Sequence, residues 1–167
     1  WVNLPAAHKM TPPRYPPILA RDIPVVTEGA ARVRVIAGTF PSADGTEVQG
    51  PAATFSPLSV WDVALAANGT LTAALPSGWT ATVAILDGAL TFDGETAAAP
   101  CVAVMSRDGD GLRLTAGPDG AHLLVLAGAP IDEPIVAYGP FVMNTRDEIR
   151  AAVADHAAGR MGRLDGR

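Results

Sequence analysis

Lysine, cysteine and aromatic side chains are scarce in this sequence, and each shortage excludes something. Lys9 is the single lysine, and the arginines are scattered through a chain of net charge -5. Binding a phosphate backbone needs concentrated positive charge, so no direct nucleic-acid partner is expected. Cys101 is the single cysteine, which rules out an internal disulfide and any zinc site made of several thiolates. It sits in the β-type run Cys101–Met105 and reads as a small hydrophobe. No apolar run approaches the ~20 residues of a membrane-spanning helix, so no membrane partner is expected. No signal-peptide layout opens the chain, and a cytoplasmic location is expected.

The motifs of common chemistries are also missing. His8, His122 and His156 are far apart, with none of the short spacings that bring imidazoles onto one metal. There is no phosphate-binding loop with Lys and Ser or Thr behind it, and no Gly-x-Ser-x-Gly elbow. Asp87, Asp93, Asp108, Asp110 and Asp119 all precede glycine, where turn chemistry explains them. The run Asp108-Gly109-Asp110-Gly111 lacks the spaced ligands and closing Glu of a calcium loop. From the residues alone, no catalytic, cofactor-binding or metal-ligating residue can be named.

Turn formers and short apolar runs are abundant. The 167 residues include 17 Gly and 15 Pro, and 49% are hydrophobic against 17% charged, which excludes a disordered chain. Pro5, Pro12, Pro13, Pro16, Pro17 and Pro24 make residues 5–24 a stiff, extended connector that cannot be helix. Met10, Arg14, Tyr15, Ile18 and Leu19 are its expected anchors. From Ala31 the period becomes two, with Val33 and Val35 on one face and Arg32 and Arg34 on the other. A loop is expected over 38–57. Short β-type runs follow at 60–65, 70–75, 80–86, 89–92, 101–105, 112–115, 122–126 and 135–138.

Between the runs lie Asn68-Gly69, Ser77-Gly78, Asp87-Gly88, Asp93-Gly94 and Pro118-Asp119-Gly120, which read as tight turns. This spacing predicts an all-β antiparallel sandwich or barrel. One short helix is predicted at the C-terminal end. Thr145 and Glu148 form a capping box, Ile149, Ala152, Val153 and Ala157 an apolar stripe, and Gly159 a stop. The residues after 160 read as a frayed tail.

Two longer segments are more specific. They are Trp1-Val2-Asn3-Leu4-Pro5 continuing to Met10, Pro12-Pro13-Arg14-Tyr15, and Tyr138-Gly139-Pro140-Phe141-Val142-Met143-Asn144-Thr145-Arg146-Asp147-Glu148. With Ser56–Val63 and Leu123–Pro134 in the same order, they resemble the pirin family over essentially the whole chain. The signature positions are Trp1, Asn3, Pro5, Met10, Pro13, Arg14, Tyr15, Tyr138, Gly139, Pro140, Phe141, Met143, Asn144 and Thr145, all read as structural. Tyr15-Pro16-Pro17 stands where the family usually has a polar pair after the tyrosine.

Pirins are bicupins, so the resemblance implies a cupin-type double-stranded β-helix. Residues 1–30 would be the last strand of an N-terminal cupin plus a linker, 31–143 the C-terminal cupin barrel, and 144–167 the helix and tail. The chain would begin in mid-strand and belong to a longer protein. Its partner would be the N-terminal cupin of the same polypeptide, which in the family holds Fe(II) with three His and one Glu. None of those ligands can be carried onto this chain. In the cupin motif Gly69…Pro76-Ser77-Gly78, metal-binding relatives place His-x-His where Trp79-Thr80-Ala81 stand here. Val83 and Ile85 would fill the barrel. The resemblance implies the metal-free half of an iron-dependent dioxygenase of the quercetin 2,3-dioxygenase type. The alternative is an iron- or redox-sensitive module that binds a transcription factor or metabolic enzyme. Trp1, Val2 and Leu4 are expected to lack partners, and the chain to self-associate.

Overall fold

A computed structural model describes residues 1–163. Ten strands fall within Ile18–Pro130, which forms one compact unit. They are β1 (Val25–Glu28), β2 (Ala31–Ala37), β3 (Thr39–Pro41), β4 (Glu47–Gln49), β5 (Leu58–Leu65), β6 (Thr70–Ala74), β7 (Thr80–Phe92), β8 (Glu95–Ala98), β9 (Cys101–Val104) and β10 (Gly111–Gly128). A second unit combines Trp1–Pro17 with the chain from Ile131 onward. It contains β11 (Val136–Tyr138), β12 (Phe141–Met143) and α1 (Arg146–Ala157).

The pairing is antiparallel throughout the main sheet, in the order β1-β2-β5-β10-β7-β8. Strand β6 adds to β10, and β9 adds to β7. The all-β reading with one C-terminal helix therefore holds. β2 alternates as expected, with Val33 and Val35 fully buried and Arg32 exposed.

Two expected turns lie inside strands instead. Asp87-Gly88 sits within β7, and Pro118-Asp119-Gly120 within β10. The phase of burial shows why. Along β7 the buried positions are Ala81, Val83 and Ile85, then Leu90. Along β10 they are Leu112, Leu114 and Ala116, then Ala121, Leu123 and Val125. Each strand changes parity once, and the pairing between them shifts register at the same place. Bulges of this kind bend a strand while keeping one face toward the core. Gly88 has φ +75°, and a Cβ there would lie 2.2 Å from the Gly120 carbonyl oxygen. Here the glycine permits a close backbone approach as well as a positive φ.

Asn68 (φ 57°) and Asp93 (φ 47°) with the glycines after them do make turns, linking β5 to β6 and β7 to β8. The loop expected over 38–57 contains the β3–β4 hairpin, closed by Ser42 and Gly45 and pinned where Thr46 donates to Asp44. Asp44 Oδ1 accepts from both the Thr46 hydroxyl and the Thr46 amide, and these bonds hold the Asp44 carboxyl below its ordinary range.

The proline-rich segment is not wholly extended. Short 3-10 turns occupy Ala6–His8 and Ala20–Asp22. Both fall in gaps between prolines, where backbone N–H groups remain to donate, as His8 does to Pro5 at 2.9 Å and Asp22 to Leu19 at 2.9 Å. The expected anchors Met10, Tyr15, Ile18 and Leu19 are exposed rather than buried. Residues 1–5 pair with no strand among the described residues. Trp1 and Val2 are exposed and Leu4 is half-buried.

Helix α1 starts as the capping box predicts. Thr145 Oγ1 accepts from the Glu148 amide at 3.2 Å, and Glu148 Oε2 accepts from the Thr145 amide at 2.7 Å. Of its apolar stripe, Ile149 and Ala152 are buried, while Val153 and Ala157 are exposed. Residues 164–167 of the expected tail lie outside the described residues.

Candidate functional site

The place to look for an active centre is the inward face of the sheet, behind the turn Pro76-Ser77-Gly78. The Trp79 amide closes that turn on the Pro76 carbonyl at 3.2 Å. Trp79 then packs, partly buried, against the core, and Ala81 is buried. The next inward positions on β7 are Val83 and Ile85.

Register aligns these residues in rows that cross five strands. One row reads Val33, Val63, Leu123, Ile85, Cys101 from β2 to β9. The next reads Val35, Trp61, Val125, Val83, Ala103. The first four members of the second row are fully buried. Cross-strand neighbours of this kind touch directly, so the rows form continuous apolar layers. Phe40 closes edge-on over Trp61, with ring centroids 5.0 Å apart. Trp61 Nε1 is buried without a hydrogen-bond partner. An indole N–H can donate but cannot ligate a cation. The residues standing where imidazoles would be needed therefore do not fit a metal ion.

The third row is smaller: Ser59, Ala127 and Ala81. Beside it opens a cavity of about 710 Å³, walled by the β3–β4 hairpin, the start of β5 and the β6–β7 turn. Ser59 lines this cavity and is the buried polar residue of the core, its Oγ donating to the Thr39 carbonyl at 3.3 Å.

The three histidines have separate surroundings. His8 ends the first 3-10 turn. His156 lies in α1, edge-on to Phe141 at 5.8 Å. His122 is on the outward face of β10, with Nε2 2.7 Å from Asp62 Oδ1. The other Asp62 oxygen accepts from Arg34 at 3.1 Å. This outward trio spans β2, β5 and β10. It was not anticipated from sequence, although Arg34 had been placed on the outer face by its alternation with Val33 and Val35. Among the described residues, no three His, Cys, Asp or Glu side chains gather where they could hold a metal ion.

The signature segments meet in the second unit, through a polar clamp. Lys9 Nζ donates to Asn3 Oδ1 and to the Val142 carbonyl, each at 3.1 Å. Glu133 Oε2 accepts from the Ala6 amide at 2.7 Å and from Asn144 Nδ2 at 2.9 Å. Glu148 accepts from the Asn144 amide at 2.9 Å as well as from Thr145. Its carboxyl is held below the ordinary range by the Thr145 hydroxyl first; burial, the next largest effect, opposes this, and the Asn144 and Thr145 amides and the charge of Lys9 add to the lowering. Lys9, Glu133 and Glu148 are thus the working partners of Asn3, Asn144 and Thr145. Glu133 lies inside the Leu123–Pro134 pattern, yet nothing in that pattern announced its role.

The other signature residues are placed variously. Pro5 accepts from the His8 amide, Gly139 turns β11 into β12 at φ 57°, and Phe141 and Met143 are half-buried in β12. Pro13 lies against Gly162, and Arg14 is engaged. Trp1, Met10, Tyr15, Tyr138 and Pro140 are exposed.

The strand order and dry interior define a cupin-type domain. The family model described as the pirin C-terminal cupin domain matches residues 60–162, so the chain belongs to that family. It is 48% identical over 162 residues to a Pseudomonas aeruginosa protein provisionally assigned as a quercetin 2,3-dioxygenase, covering 96% of this chain and 54% of that protein. It is 30% identical to the pirin of Mus musculus, covering 97% of this chain and 56% of the other. A crystal structure of quercetin 2,3-dioxygenase from Acinetobacter baumannii superposes with a TM-score of 0.85 at 43% identity, covering 97% of this chain and 55% of that one. The chain spans about half the length of the curated relatives it matches. Among the described residues, no helix is long and apolar enough to cross a membrane.

Proposed function

We propose that this chain is the metal-free structural half of a cytoplasmic, pirin-like iron dioxygenase. Its partner is an N-terminal cupin of the same polypeptide, and that cupin carries Fe(II) and the oxygen chemistry. The observation that carries this reading is the pair of apolar rows through Trp61 and Leu123, in which Cys101 at the β9 end is the single side chain able to ligate a metal. The half-length match to relatives named as quercetin 2,3-dioxygenases supports it. The signature residues have a structural role in this reading, joining the N-terminal segment to β12 and α1 through Asn3, Asn144 and Thr145.

The test is quercetin turnover under oxygen with added Fe(II), by this chain alone and by a longer polypeptide that supplies the N-terminal cupin. Turnover by the longer polypeptide and none by this chain is expected. Turnover by this chain alone overturns the reading. A second reading, an iron- or redox-sensitive interaction module, is favoured by the exposed apolar side chains Leu86, Val102 and Val104 on β7 and β9. Exposed apolar patches of this kind mark interaction surfaces. Iron-dependent capture of a protein partner without quercetin turnover by the longer polypeptide selects that reading instead.

A further inference from the structure

The cavity beside the third row has no part in the proposed function, yet it is built like a ligand site. Its volume of about 710 Å³ falls within the ~300–1,000 Å³ of small-molecule pockets. Such pockets are mostly apolar, with a few placed polar groups. Here Leu58, Leu75 and the half-buried indole of Trp79 supply the apolar wall. Ser59, only 4% exposed, is the polar group set into it. Its hydroxyl spends its proton on the Thr39 carbonyl, over a long 3.3 Å, which leaves its lone pairs to accept.

The charges at the rim have one sign. Glu47 and Asp110 line the cavity, and no Lys, Arg or His does among the described residues. Neither carboxylate has an ion-pair partner among the described residues. Thr39, Gln49, Thr54 and Ser77 add neutral groups that can donate or accept, so the preference in charge comes from the two carboxylates and the Ser59 oxygen is the buried acceptor. An aromatic face is present for stacking or for a cation. A carboxylate or phosphate ligand finds no positive partner and is repelled in a chain of net charge -5.

We propose that this cavity binds a small aromatic molecule whose polar ends donate hydrogen bonds, a phenolic amine being the best match, and that it discriminates against the corresponding carboxylate. The ring lies on Trp79, the hydroxyl donates to Ser59, and the ammonium group faces Glu47 and Asp110. This activity needs no metal and is independent of the iron chemistry proposed for the partner cupin.

The test is an NMR titration of the isotopically labelled chain with tyramine and with 3-(4-hydroxyphenyl)propionate. These share a phenol and a two-carbon arm and differ in the sign of the terminal charge. Saturable shifts at the Trp79 indole N–H and the Ser59 amide are expected with tyramine. Affinity for the propionate should be at least about tenfold lower, which corresponds to about 1.4 kcal/mol. Ser59→Ala should weaken tyramine several-fold. Glu47→Gln combined with Asp110→Asn, both at exposed positions, should bring the two affinities together. The proposal is overturned by three results: no saturable shift at Trp79 and Ser59, equal affinity of the unsubstituted chain for both probes, or shifts centred elsewhere.

Discussion

The inward rows of the sheet and the polar clamp of the second unit are held together in opposite ways. In the rows, Val63, Leu123, Ile85 and their neighbours need only be apolar and of the right volume, and none depends on a particular atom of its partner. In the clamp, particular atoms are matched: Lys9 Nζ to Asn3 Oδ1, the Ala6 amide to Glu133 Oε2 and the Thr145 amide to Glu148 Oε2, with Asn144 Oδ1 left buried and unpaired. The rows decide what this domain cannot do, because they put hydrocarbon where ligands would stand. The clamp includes Asn3, Asn144 and Thr145 of the signature positions, and each is held there through a specific hydrogen bond.

Substitutions can sharpen that contrast. Trp61→Ala should have the largest effect, because it empties a fully buried indole site under Phe40. A loss of about 3–5 kcal/mol is expected in urea denaturation. A loss below about 1 kcal/mol would mean the rows can collapse around the gap, and would break the contrast. Glu133→Ala should remove about 1.5 kcal/mol, since it deletes charge-assisted bonds from the exposed Ala6 amide, which can turn to water, and from Asn144. Its signature should be faster amide exchange at Ala6.

Thr145→Ala should cost about 1 kcal/mol, the usual value of an N-cap hydroxyl, read as loss of helical signal. The smallest effect is that of pH. The Glu148 carboxyl is held below its ordinary value of 4.5, so the stability it contributes is present above that value. It is lost as pH falls through the lowered value. Amide exchange at the start of α1, corrected for its intrinsic pH dependence, should therefore quicken in acid. Glu148→Gln should flatten that dependence.

Parts of this were legible in the sequence. The capping box at Thr145 and Glu148 is local, four residues long, and formed as read. Alternation over residues 31–36 and the spacing of short β-type runs between turn dipeptides pointed to the all-β class. The long strands β7 and β10 each looked like two runs, because the bulges reverse the phase of alternation where Asp-Gly also suggests a turn. The β3 and β4 strands are three residues each, too short to show a period. The clamp was illegible for another reason: Ala6 and Glu133 are 127 positions apart, and Lys9 and Val142 are 133 apart. The segments of the resemblance contain Lys9, Glu133 and Glu148, but only Asn3, Asn144 and Thr145 of the clamp stood among its signature positions, and of the three partners only Glu148 was read in a role, as half of the capping box.

The account stands on the claim that the inward rows offer no grip for iron. The direct measurement is the iron retained by the purified 167-residue chain after anaerobic incubation with Fe(II) and removal of free metal. Only background iron is expected, unchanged by His122→Ala. One tightly held iron per chain would contradict it, and its persistence in the His122→Ala variant would place it on the inward rows rather than at the outward His122–Asp62 pair.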